Sequence, residues 1–117
     1  MSGGGAAPVY TNIVTASPAT TQNNYAPSGF SSTTTFLALA AASGGSTITG
    51  LSSTGRANGS SLQIRNTSTT DPLIFPNLSG SSSAANQFNN ASGGTTEILQ
   101  GASAILTYYN SQWTFSS

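Results

Sequence analysis

Two carboxylates, Asp71 and Glu97, and two guanidinium groups, Arg56 and Arg65, are the only acidic and basic side chains in this 117-residue chain, which has no lysine, histidine or cysteine. A pair of carboxylates is the minimum equipment of a glycosidase, which needs both in one cleft with the pKa of one raised. Asp71 stands before Pro72 and reads instead as turn chemistry. Glu97 is expected to pair with Arg65 on an outer sheet face, a surface bridge worth at most about 1 kcal/mol. Asp71 is the other candidate partner for Arg65, across a subunit boundary. Serines are plentiful, but a serine nucleophile needs an activating base and neither histidine nor lysine is present. Thiolate chemistry and soft metal sites lack their side chains altogether. The sequence therefore assigns no catalytic, cofactor-binding or metal-ligating residue and reads as a non-enzymatic structural or binding protein.

Aromatic side chains are the remaining candidates for recognition. Tyr10, Tyr25, Tyr108, Tyr109 and Trp113 can line a shallow sugar-binding surface. Trp113 lies in an alternating segment and is expected in the core. Tyr108 and Tyr109 are adjacent, so in a strand one faces inward and the other outward, and either can be the surface aromatic. The acceptor pattern for glycosylation occurs at Asn58, Asn66, Asn77 and Asn90 and reads as loop and turn composition in a chain this rich in Asn, Ser and Thr. Threonine runs at 33–35 and 69–70 suggest an ice-binding face, but no sequence period accompanies them.

Charged residues make up 3% of the chain and hydrophobic residues 36%, and the formal net charge is zero. Nothing in that composition steers the chain towards phosphates or anionic lipid, so nucleic acid and membrane surfaces are excluded as partners. The longest apolar run, 36–42, is too short to span a bilayer. The N-terminal residues have neither the basic nor the apolar region of a secretory signal. With no cysteine there is no disulfide, and stability must come from core packing and from partner subunits. The length suits one domain.

The elements that must position these residues are short. Residues 1–30, with glycines at 3–5 and prolines at 8, 18 and 27, read as an extended N-terminal arm. Its apolar handles, Val9, Tyr10, Ile13 and Val14, either dock on another chain by strand addition or form the first strand of the domain's own sheet. Residues 31–117 read as one β domain. Strands are expected at 31–41, 46–51, 61–66, 73–75, 96–99, 104–108 and 112–115, with a polar loop at 77–86 and a two-residue turn at Asn110-Ser111. With no helical period between them, these strands predict an all-β antiparallel sandwich or jelly roll. Leu62, Ile64, Leu73, Phe75, Phe88, Ile98, Ile105, Leu106 and Trp113 are the expected core. Each contributes about 1.5–3 kcal/mol if fully buried, a thin total that favours oligomerisation.

The order of segments Ile48-Thr-Gly-Leu51, Ser61-Leu-Gln-Ile-Arg-Asn66, Ser82-Ser-Ala-Ala-Asn-Gln-Phe88, Gly101-Ala-Ser-Ala-Ile-Leu-Thr-Tyr108 and Trp113 resembles the small β-domains of tailed-bacteriophage virion proteins. That group includes head decoration (cement) proteins, head fibres and tail-fibre modules. The resemblance covers 46–117, and the chain departs from the pattern at Gln87 and Asn110, where arginine and aspartate are common. It implies a homotrimer at the capsid surface of the virion, with the major capsid protein as partner and the arm residues as capsid anchors. The alternative implied by the same resemblance is a head-fibre or tail-fibre module that binds host surface glycans.

Overall fold

A computed structural model describes residues 12–115. Among the described residues the chain is all-β apart from one short 3-10 turn, Ala84–Asn86. Nine strands form two sheets: β1 (Ile13–Ala16), β2 (Thr21–Gln22), β3 (Phe36–Leu39), β4 (Ser46–Ile48), β5 (Ser60–Asn66), β6 (Leu73–Phe75), β7 (Thr96–Ile98), β8 (Ser103–Tyr109) and β9 (Gln112–Phe115). One sheet runs β1-β3-β5-β8-β9 and the other β2-β4-β6-β7.

The chain visits the two sheets alternately, and that corrects the expectation of an antiparallel fold. In the five-stranded sheet β1, β3 and β5 are parallel, with Ile13 opposite Phe36 and Phe36 opposite Gln63, offsets of 23 and 27 residues. In the four-stranded sheet β2, β4 and β6 are likewise parallel, with Thr21 opposite Thr47 and Ser46 opposite Leu73, offsets of 26 and 27. Parallel neighbours need a long crossover, usually a helix. Here each crossover runs through a strand of the opposite sheet, so the first six strands wind as three coils. Among the described strands the antiparallel pairs are β5–β8, β6–β7 and β8–β9, and they complete both sheets.

Residues 12–30 are built into this winding, not extended as an arm. β1 pairs with β3 along its whole length, and Val14 and Tyr25 are buried in the core. The domain's own first strand is thus the arrangement adopted by Ile13 and Val14, because alternation places Val14 inside and leaves Ile13 facing out. Val9 and Tyr10 lie outside the described residues.

Alternation along each strand builds a single core from both sheets. Across the five-stranded sheet Val14, Leu37 and Ile64 form one inward row, and Leu62, Leu106 and Phe115 another. Leu73, Phe75, Ile98 and Ile48 face them from the other sheet. Phe75 meets Phe88 and Phe115 edge-on at centroid distances of 5.0 and 5.1 Å, and Tyr108 meets Trp113 at 5.0 Å. The Trp113 indole N–H donates to Leu51 O at 2.9 Å, which settles its one polar atom within the core. Ile105, expected in the core, is 47% exposed. It is next to Leu106 in β8, and only one of two consecutive strand residues can face inward.

Polar side chains stitch the loops to this core. Asn66 is wholly buried: its amide donates to Asp71 O and Ile98 O, and its Oδ1 accepts from Ser68 N. Beside β4, the Thr49 hydroxyl meets Ser82 Oγ at 2.7 Å and Asn23 Oδ1 at 2.6 Å, while Asn24 N donates to Ser82 Oγ. Gly50 is required at this seam, since a Cβ there would collide with the Ser82 side chain. The β8–β9 turn has Asn110 and Ser111 at φ 54° and 64°, the double left-handed geometry of a type I′ hairpin.

Candidate functional site

Two surfaces of the described residues gather side chains that the fold leaves to solvent or leaves without a full set of partners. The first is the outer face of the five-stranded sheet. The alternation that sends Val14, Leu106 and Tyr108 inward turns their neighbours Ile13, Ile105 and Tyr109 outward. Ile13, Phe36, Gln63 and Ile105 stand opposite one another in a row across four strands. Ile13 and Ile105 are each about half exposed and Tyr109 is 64% exposed. Thr15, Ala38, Arg65 and Ser103 make the adjacent row. The face is therefore a mixture of apolar and hydroxyl side chains with one cation.

Of the two candidate surface tyrosines, Tyr109 is the exposed one. Tyr108 is buried against Trp113 and its hydroxyl donates to Ala85 O at 2.9 Å.

The expected Arg65–Glu97 pair does not form among the described residues. Arg65 is exposed on the outer face of the five-stranded sheet, whereas Glu97 is exposed in β7, opposite Ile74, on the outer side of the other sheet. The two residues share an outward orientation but not a sheet. Asp71 accepts from Gly44 N at 3.0 Å and from the Thr70 hydroxyl at 2.7 Å, so it ties its own loop to the one at Gly44. Among the described residues no ion pair forms. Asn66 and Asn90, two of the four acceptor-pattern asparagines, are buried, and Asn90 bonds to Phe75 O and Gly94 O.

The second surface surrounds Arg56. Arg56 is 8% exposed, with its guanidinium Nη1 donating to Thr34 O at 2.8 Å and Nη2 to Ser31 O at 3.2 Å. Its Cζ lies 5.4 Å from the Phe30 ring centroid and 5.0 Å from that of Trp113. Nε is buried with no partner. Burial lowers the guanidinium pKa from its ordinary value, and among the described residues no carboxylate contacts it to offset that cost. The carbonyls it uses come from a loop that turns back on itself: Thr34 N donates to Ser31 O, and Ser31 N donates to the Thr34 hydroxyl. That turn is why the strand expected over 31–41 forms only at Phe36–Leu39.

Beside Arg56 lies a cavity of about 390 Å³ lined by Phe30, Ser31, Ser32, Ser52, Thr54 and Gly55. In the sequence Arg56 stands only as one of four charges, and nothing there joins it or Phe30 to a site. The available signal was a lone arginine in a glycine-flanked loop with no acidic residue near it in sequence. Comparison with known protein families, with curated proteins and with solved structures finds no match for this chain.

Proposed function

We propose that this chain is a non-enzymatic structural protein of a tailed-phage virion, a decoration (cement) protein that binds the outer capsid surface as a homotrimer and stabilises the head. Its contacts with other subunits are made by the outer face of the five-stranded sheet. The observation that carries this reading is that face: Ile13, Ile105 and Tyr109 are held outward in strands whose alternate residues form the core. Apolar area displayed on rigid strands is suited to association by shape and desolvation. The scarcity of charge fits as well, since contacts of this kind respond little to ionic strength. The sequence resemblance over 46–117 supplies the virion context, and the β domain of two sheets is consistent with the sandwich-like modules of that group.

Copy number per particle tests the assignment. Hundreds of copies on each head, with retention unchanged between low and high ionic strength, are expected. A few copies, or steep loss at high salt, would count against it.

The cavity beside Phe30 favours a second reading, a fibre module that binds host surface glycans. An aromatic ring next to several hydroxyl groups in a concavity of this size is the usual makeup of a small-molecule site. A glycan array with the isolated protein separates the readings: saccharide binding by the free protein favours the fibre module, and binding only to assembled heads favours cement.

A further inference from the structure

We propose that the cavity between Phe30 and Thr54 takes a sugar unit bearing a carboxylate, with Arg56 as the fixed positive charge behind it; this rests on the glycan-binding reading and narrows it to acidic glycans. The cavity supplies what any sugar ring needs. Phe30 is the aromatic residue of the lining, and Ser31, Ser32, Ser52 and Thr54 bring hydroxyl groups to it. What distinguishes an acidic sugar from a neutral one is charge.

Arg56 stands directly behind the lining: its Nη2 donates to Ser31 O, its Cζ faces the Phe30 ring, and it follows Gly55 in the chain. The guanidinium is held by carbonyls and aromatic rings, which solvate a cation without neutralising it. Asp71 and Glu97 both lie outside this group of contacts, so among the described residues no carboxylate meets the positive charge. A charge hidden from solvent is screened less than a surface one, and its field reaches the neighbouring cavity. An anionic ligand there meets a favourable potential that a neutral ligand of the same shape does not. Charge complementarity thus selects the occupant.

The test is calorimetric titration of the purified protein with paired probes: methyl glucuronide against methyl glucoside, and a methyl sialoside against its methyl ester. The acidic member of each pair is expected to bind at least about tenfold more tightly. The Thr54→Trp variant, which fills the cavity from an exposed loop position, is expected to abolish that binding while melting as the parent does. Equal binding of acidic and neutral probes would overturn the inference and leave the glycan reading standing. No binding of any probe would overturn both. Unchanged binding of the acidic probes by folded Thr54→Trp would overturn the placement of the site.

Discussion

The two faces of the five-stranded sheet are made by the same strands, often by consecutive residues, and they do different work. In β8, Leu106 and Tyr108 point inward and are buried, while Ile105 and Tyr109 point outward and are exposed. In β1 the same division separates Val14 from Ile13. The residue types are nearly interchangeable: isoleucine beside leucine, tyrosine beside tyrosine. The difference teaches that a fold-forming residue and a surface available for association are told apart here by position on the pleat, not by composition. Inward substitutions should act on stability and outward ones on assembly.

Trp113→Ala should have the largest effect. It removes a fully buried side chain and leaves Leu51 O without its donor, so unfolding by denaturant should show a loss of about 3–5 kcal/mol. A loss under about 1 kcal/mol would break the division at its strongest point. Asn66→Ala comes next. Three backbone groups lose their partner in a buried site, and a loss of about 1–3 kcal/mol is expected from the same measurement.

A smaller effect belongs to pH. Burial raises the Tyr25 pKa above its ordinary value of 10.0. Below that value folded and unfolded chains both hold the phenol proton, and the stabilisation is fully present. Above it the unfolded chain loses the proton first, so stability falls as pH rises towards the folded-state pKa. Urea unfolding at increasing pH should show this decline, and Tyr25→Phe should reduce it. The smallest effect is expected outward: Ile105→Ser with Tyr109→Ser should change stability by no more than about 0.5 kcal/mol for each substitution.

Much of the strand inventory was legible because it depends on local alternation. Leu62 and Ile64 alternate with Gln63 and Arg65 in β5, and Leu73–Phe75 and Gln112–Phe115 were bounded by proline and turn residues, so these segments lie where the pattern puts them. The pairing was not legible. Parallel neighbours are set by crossovers, and here the crossover is another strand, which leaves no helical period to reveal it. The offsets of 23, 26 and 27 residues also vary from coil to coil, so no sequence repeat marks the winding.

The sites divide in the same way. Tyr109 could be narrowed to one of two residues by alternation, and Asp71 was readable as turn chemistry from Pro72. Applied to Ile105 and Leu106, the same rule would have placed only one of them in the core. Arg65 and Glu97 were both rightly turned outward, but a sequence does not say which sheet owns a strand. The surroundings of Arg56 depend on contacts from residues 30, 31, 34 and 113, and that convergence exists only in the folded chain.

The most direct test of the central claim is sedimentation of the Ile105→Ser, Tyr109→Ser double variant, alone and with heads stripped of the protein. The expected result is a folded chain that no longer forms trimers and stays in the supernatant when the heads are pelleted. A double variant that trimerises and co-sediments like the parent would contradict the assignment of the outer face as the contact surface.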